Sequence, residues 1–228
     1  MNIAIIAAAG QGSRFGGDRP KQFLELAGVP VIIRTLRQFE RCAAIDGVVL
    51  VLPESDASRF PSLAHTYDIR KIREVVEGGA TRAESVWRGL QSINEPTVEI
   101  VAVHDGVRPF VTSDEIERTV RAAEISGASI LAAPVVDTIK EVADGEVVRT
   151  FERARLSRAL TPQCFRYDLL RRAFEQSPEL VSAATDDSSL VETLGVKVTV
   201  VEGHPRNIKI TRPEDIAIGE TILRELEG

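Results

Sequence analysis

Several kinds of chemistry lack their parts in this 228-residue chain. Its two cysteines, Cys42 and Cys164, show neither C-x-x-C spacing nor a disulfide framework, so a reducing compartment is the simpler reading. The three histidines, His65, His104 and His204, form no ligand pair, which leaves zinc clusters and Ser-His-Asp hydrolysis without their components. No stretch approaches the roughly 20 apolar residues of a membrane span. The N-terminus has neither a basic n-region nor a cleavage site, and the expectation is a cytoplasmic protein with no membrane partner. Positive charge is also in short supply: 28 Lys and Arg against 34 Asp and Glu leave a formal net charge of -6. That balance is poor for holding a long polyanion and sets nucleic acid aside. A small anionic ligand stays open, because a few clustered cations suffice for it.

What the chain does contain is a rhythm of short apolar runs: Ile3 to Ala8, Val48 to Leu52, Ile72 to Val76, Ile100 to Val103, Ile130 to Ala133 and Val198 to Val201. Their apolarity is continuous rather than alternating, as in strands covered on both faces, which indicates a mostly parallel sheet. Between the runs, Thr81/Glu84, Thr112/Glu115 and Thr211/Glu214 have capping-box spacing, and Ile116, Val120 and Ala123 share one helix face. These features predict one domain over residues 1–228 with a doubly wound, Rossmann-like α/β fold. The stretch 137–155 breaks the rhythm. There Asp144-Gly145 separates two β-prone segments, a strong hairpin signal. The segments carry too little apolar surface for a two-stranded arm to stand alone, so a second subunit is expected against it, making the protein a homodimer.

The first strand runs into Ala8-Ala9-Gly10-Gln11-Gly12-Ser13-Arg14 and then Pro20-Lys21-Gln22. Small residues at a strand's carboxyl end let backbone N–H groups close around phosphate oxygens. The G-x-G-x-x-x-G spacing is one residue longer than the dinucleotide fingerprint, and Lys21 follows a proline, which rules out a Walker A loop. A glycine loop carrying its own cations, Arg14 and Lys21, suits a triphosphate whose bridging oxygen gains charge as a bond breaks. A plain turn with solvated charges is the competing account.

Gly78-Gly79-Ala80-Thr81-Arg82-Ala83-Glu84-Ser85 closes a strand and opens a helix. Paired glycines permit close approach to a flat ring, and Ser85 could reach a base or a phosphate; a turn plus N-cap explains the segment nearly as well. His104-Asp105-Gly106-Val107-Arg108-Pro109 puts Asp105 at the sheet's carboxyl edge, where a magnesium ligand or ribose contact belongs, unless it caps the following turn. Lys209, between Ile208 and Ile210 at an expected strand end, suggests a bound anion or a snorkelling head.

Taken together, Ala8-Ala9-Gly10-x-Gly12-x-Arg14, Pro20-Lys21-Gln22, Gly78-Gly79-x-x-Arg82-x-x-Ser85-Val86, His104-Asp105-x-x-Arg108-Pro109, Asp137-Thr138-x-Lys140, Leu160-Thr161-Pro162-Gln163, Thr185-Asp186-Asp187 and Asn207-Ile208-Lys209-x-Thr211-x-Pro213-Glu214-Asp215 resemble the 2-C-methyl-D-erythritol 4-phosphate cytidylyltransferases of the non-mevalonate isoprenoid pathway, from Ile3 to about Leu223. The resemblance implies a nucleotidyltransferase fold and a reaction of CTP with methylerythritol phosphate, giving the CDP-alcohol and pyrophosphate with a divalent cation, usually magnesium. It implies that Arg14 and Lys21 stabilise the transition state, and that Ala8, Ala9, Gly10, Gly12, Gly78, Gly79, Arg82 and Ser85 surround the nucleotide. Asp105, a candidate metal ligand directly or through water, and Lys209 would lie between the substrates. Arg108, Thr138, Arg153 and Thr185 would contact methylerythritol phosphate, with Thr138 and Arg153 reaching it through the partner's arm.

The attacking atom is then an already anionic phosphate oxygen, which needs no general base; cations that bring two anions together do the work, with Arg153 and Lys209 holding the nucleophile in line. A pentitol phosphate cytidylyltransferase acting on ribitol 5-phosphate, and a non-catalytic nucleotide-binding module, are the rival readings.

Overall fold

The computed structural model describes residues 1–10 and 21–227, so Gly12 and Arg14 lie outside the described residues. The chain opens with β1 (Asn2–Ala7), and past Lys21 the short strands β2 (Glu25–Leu26) and β3 (Val29–Pro30) lead into α1 (Val31–Arg41). Then come β4 (Gly47–Leu52), the small helices α2 (Glu54–Ala57) and α3 (Phe60–Thr66), β5 (Ile72–Glu77), α4 (Arg82–Ser92), β6 (Ile100–Asp105), α5 (Ser113–Ser126) and β7 (Ala128–Pro134). The hairpin β8 (Lys140–Ala143) and β9 (Glu146–Thr150) precedes β10 (Ser157–Arg166). The chain finishes with α6 (Tyr167–Phe174), α7 (Pro178–Ala183), α8 (Asp187–Glu192), β11 (Thr199–Glu202) and α9 (Glu214–Glu227).

Among the described residues seven strands form one sheet in the order β11-β7-β10-β6-β1-β4-β5. β4 and β6 are buried at every position, which is why their runs are apolar without alternation. Within β1 the side chains still divide by face. Ala4 and Ile6 pack with α1 and α5 through Ile32, Leu36, Phe39, Ile116 and Val120, while Ile3 and Ile5 meet α4 and α6 through Val86, Leu90 and Leu170. All six expected strands are present, and the sheet is mostly parallel as predicted.

The seventh strand, β10, is not among the six that the sequence predicts. It runs antiparallel between β6 and β7, and its register against β7 shifts between Ala159 and Gln163. Pro162 lies in that break, where a residue without an N–H costs the ladder nothing, and a proline in sequence argues against a central strand. Lys209 also differs from expectation: β11 ends at Glu202, and the lysine sits in the loop beyond it.

The helix starts obey the capping chemistry in part. Thr112 and Glu115 form a complete capping box, whereas Thr81 accepts from the Glu84 N–H while the Glu84 carboxylate turns to the Ala80 N–H. At α9 the carboxylate that caps is Asp215, not Glu214; it accepts from the Thr211 N–H at 2.7 Å, the Thr211 hydroxyl at 2.9 Å and the Arg212 N–H at 2.8 Å. Pro213 cannot donate, so the orphan donors at this end belong to residues 211 and 212 and lie nearer the second helical residue.

The arm forms where Asp144-Gly145 predicts a hairpin, with φ of 52° and 83° as a primed turn requires. Its valines Val142, Val147 and Val148 are 58%, 60% and 58% exposed, so the hairpin holds no core of its own. Cys42 and Cys164 are both free and buried, and burial pushes both thiols above their ordinary pKa.

Because the α9 cap is a carboxylate at residue 215, Asp215→Ala is expected to cost about 1 kcal/mol in urea unfolding, and Glu214→Ala no more than about 0.5 kcal/mol. Equal costs would remove the assignment.

Candidate active site

The carboxyl ends of β1, β4, β5 and β6 meet at one edge of the sheet, with Ala7 in register with Val51 on one side and Asp105 on the other. Pairing continues one residue past each strand end: the Ala8 N–H donates to Val51 O, the Gly78 N–H to Leu52 O and the Gly106 N–H to Ala7 O. Main chain is therefore the floor of the site. Gly78 is glycine because a Cβ there would stand 2.1 Å from the Ala9 Cβ, closer than two carbons can approach.

Above this floor is a cleft of about 460 Å³, a size ordinary for a small-molecule site. Ala7, Ala8, Ala9 and Gly10 line one side, Gly79, Ala80, Thr81, Arg82 and Ser85 the other, with Lys21, Gln22, Asp105, Val107 and Lys209 completing it.

Asp105 organises the charge. Its Oδ1 takes Arg82 Nε at 3.1 Å, and its Oδ2 takes Arg108 Nε at 3.1 Å and Lys209 Nζ at 3.0 Å. Burial alone would raise this carboxyl, but Arg82, Lys209 and Arg108 outweigh it and hold it well below the usual carboxylate range. Arg82 also bonds Asp187 Oδ2 through Nη2 at 2.8 Å, and despite burial these two carboxylates hold its pKa above the ordinary value. Three cations thus face two carboxylates, and the surplus charge lies on the wall of the cleft.

His104 supports this cluster without entering it. The carbonyl of Arg108 can only accept, so His104 Nε2 carries the ring proton and donates to it at 3.2 Å. Nδ1 of the neutral ring then accepts from the Thr161 hydroxyl at 3.0 Å, whose oxygen in turn accepts from the Asp105 N–H at 3.2 Å. Desolvation keeps the ring neutral, its pKa lowered to about 3. The imidazole therefore ties the ends of the 105–108 turn together.

The expected residues are gathered unevenly. Ala8, Ala9, Gly10, Lys21, Gly79, Arg82, Ser85, Asp105 and Lys209 share the cleft. Gly78 lies behind Ala9 and does not line it. The Ser85 hydroxyl accepts from the Gly79 N–H and donates to Thr81 O, so it shapes the turn as well as facing the cleft. Arg108 is held behind Asp105, and its Nη1 donates to Asn207 O. Thr185 is exposed and lines a separate cavity of about 40 Å³ on the far side of Arg82. Thr138 and Arg153 stay with the arm, exposed and outside this chain's cleft, Arg153 bonding Val136 O.

Sequence alone assigns no role to Asp187, Gln163 or Thr161, although each belongs to a motif that carries the family resemblance. Their signal is polarity amid residues that turn out to be buried, visible only once β10 is known to be a strand.

Known proteins resemble this chain over nearly its whole length. The family model for 2-C-methyl-D-erythritol 4-phosphate cytidylyltransferase matches residues 2–225. A protein of that name from Bacillus mycoides is 45% identical over 223 residues, covering 98% of both chains. One from Pelotomaculum thermopropionicum is 43% identical over 227 residues, covering 99% of this chain and 95% of its own. Among solved structures, 4-diphosphocytidyl-2C-methyl-D-erythritol synthase from Anaerococcus prevotii superposes with a TM-score of 0.85 at 34% identity, covering 98% of this chain and 96% of its own.

The neutral His104 has a consequence for stability. Its pKa is lowered to about 3 on folding, so below the unfolded value near 6.5 the unfolded chain takes up a proton that the folded one refuses. The stabilisation is whole above pH 6.5 and is lost as pH falls, by up to about 1.4 kcal/mol per unit. Urea unfolding from pH 6.5 to 4.5 is expected to show a shallower decline for His104→Gln than for the wild type; parallel declines would mean that the ring is charged in the fold.

Proposed function

The chain belongs to the 2-C-methyl-D-erythritol 4-phosphate cytidylyltransferase family of isoprenoid biosynthesis, with cytidylyl transfer from CTP to methylerythritol phosphate as its activity, and on that premise we propose how the cleft divides the work. The observation that carries the proposal is the cluster of Arg82, Arg108 and Lys209 around Asp105 at the sheet's carboxyl edge.

The reaction joins two anions. A phosphate oxygen of methylerythritol phosphate bonds to the α-phosphorus of CTP while the α–β bridging bond breaks and pyrophosphate departs with the electron pair. A phosphate monoester is already largely ionised at neutral pH, so no side chain has to take a proton. This suits a site in which the buried histidine is neutral and doubly bonded, and in which Asp105 is the one cleft-lining carboxylate among the described residues.

Lys21 and Arg14 offset charge on the bridging oxygen and the leaving pyrophosphate, where it grows in the transition state. Ala8, Ala9, Gly10, Gly12, Gly79 and Ser85 surround the cytidine with backbone and small groups, Gly78 allows Ala9 its position, and Arg82 presents its guanidinium to the nucleotide. Asp105 and Lys209 stand between the substrates. Arg108, Thr185 and Lys209 hold the methylerythritol phosphate, together with Thr138 and Arg153 from a second subunit's arm.

Asp105 already meets Arg82, Arg108 and Lys209 and has spare lone-pair capacity chiefly at Oδ1, so a magnesium ion here would take most of its ligands from triphosphate oxygens and water. Asp105 would hold that ion directly or through water, and when bound it supplies positive charge against the triphosphate. Among the described residues no three His, Cys, Asp or Glu side chains group to hold a metal by themselves.

The homodimer reading rests on the arm, whose three valines are more than half exposed on a hairpin that forms a separate two-stranded sheet, joined to no other strand among the described residues. A cytoplasmic setting accords with two free cysteines, and among the described residues no helix is long and apolar enough to cross a membrane.

Lys21→Ala is expected to lower kcat for pyrophosphate release at least about 100-fold, with a folded protein by circular dichroism. A change in KM alone would refute its role. For the shared site, Lys21→Ala and Arg153→Ala chains are unfolded and refolded together. About half the dimers are then mixed, each with one intact site of two, so activity should return to roughly a quarter of wild type. No recovery after confirmed subunit exchange would place both residues in one chain's site.

A further inference from the structure

Apart from Thr185, two stretches of sequence have no part in this division of work: Leu160-Thr161-Pro162-Gln163 and Thr185-Asp186-Asp187. The fold docks them on each other. Gln163, in β10 and 1% exposed, donates from Nε2 to Asp186 Oδ2 at 2.7 Å and accepts at Oε1 from the Ser188 N–H at 3.0 Å. One carboxamide thus clamps the residues on both sides of Asp187.

Asp187 is itself 2% exposed, and its Oδ2 takes Arg82 Nη2 at 2.8 Å, joining residues 105 positions apart. Among the described residues Arg82 is the only member of the charged cluster that touches two carboxylates, Asp105 through Nε and Asp187 through Nη2. Those contacts engage Nε and Nη2, two separate nitrogens of the planar fork, and fix its plane. The Nη1 donors make no hydrogen bond among the described residues, and Arg82 lines the cleft. A guanidinium held at two points, with Nη1 unengaged and the side chain 31% exposed, is a preorganised receptor for an anionic oxygen, since its rotamer entropy is already lost before the ligand arrives.

We propose that Asp187 is a positioning residue for nucleotide binding: seated by Gln163, it holds Arg82 so that Nη1 of the guanidinium meets a phosphate oxygen of the nucleoside triphosphate. This rests on the reading that Arg82 faces the nucleotide. Asp187 itself does not contact the ligand. Without its charge, Arg82 keeps one anchor, at Asp105, and can turn about it.

The test is a double-mutant cycle on CTP affinity, measured by calorimetry on the full-length protein without the second substrate. Asp187→Asn preserves size and removes charge, and it is expected to weaken CTP binding roughly 5- to 20-fold while leaving the KM for methylerythritol phosphate within about twofold. Arg82→Gln should weaken CTP to a similar degree. In the Arg82→Gln background, adding Asp187→Asn should change CTP affinity less than about twofold, because the partner through which Asp187 acts is gone. Gln163→Glu, which opposes one carboxylate with another at Asp186, should reproduce part of the loss only while Arg82 is present.

If Arg82→Gln leaves CTP affinity unchanged, the nucleotide reading of Arg82 fails and the inference with it. If Arg82→Gln weakens binding and Asp187→Asn does not, or if the two losses multiply, only the positioning role falls. Thermal unfolding of each variant identifies any that fail to fold, and for such a variant Asp187→Glu, which retains the charge, should restore CTP affinity to within about threefold of wild type; no restoration counts against the proposal.

Discussion

A single buried carboxylate, neutralised by three cations from three parts of the chain, is the constraint on which the rest of this site depends. Asp105 could not be ionised at its depth without Arg82, Arg108 and Lys209, and those cations would repel one another without it. The arrangement stores positive charge close to the surface in a protein whose formal net charge is -6. A bound polyanion can then be met by groups already gathered and partly desolvated, which lowers the cost of ordering them.

The sheet supplies the precision. Asp105 ends β6, where its backbone pairs with Ala7 of β1 on one side; on the other the β10 ladder stops at Val103 and the Asp105 N–H is taken by the Thr161 hydroxyl instead. The antiparallel insertion of β10 brings Thr161 beneath the Asp105 N–H and Gln163 beneath the turn that opens α8. A purely parallel sheet would direct both neighbouring strands the same way. Here the reversed strand lets residues within and at the end of a register break, Thr161 and Gln163, support a site built at the carboxyl end of β6.

Much of this is readable from sequence where one physical requirement dominates. Strands covered on both faces must be apolar throughout, and β4 and β6 are; a two-residue hairpin needs left-handed backbone, and Asp144-Gly145 provides it. The glycine-rich strand ends announce a cleft because side chains there would collide, as at Gly78. Legibility fails where two requirements compete. Pro162 speaks against a central strand, yet it sits in a register break where no N–H is called for. Thr211 and Glu214 have capping-box spacing, but Pro213 removes a donor and Asp215 serves the rest. Lys209 reads as an isolated lysine awaiting an anion, and its carboxylate partner lies in a distant stretch of the same chain. Asp187 is silent in sequence for the same reason: its role appears only when the chain brings it to Arg82.

The two buried thiols have a practical consequence for anyone who wishes to watch this molecule move. Cys42 closes the end of α1 and Cys164 lies within β10, both shielded from solvent and both held in the protonated form by burial. Alkylating reagents attack thiolates at accessible positions, so neither native sulfur competes for a maleimide dye or a nitroxide in the folded state. A single cysteine introduced at Val147 of the hairpin, exposed in the single chain, would therefore become the sole reporter in a background already free of labelling sites, its reaction slowing wherever a second subunit covers the arm.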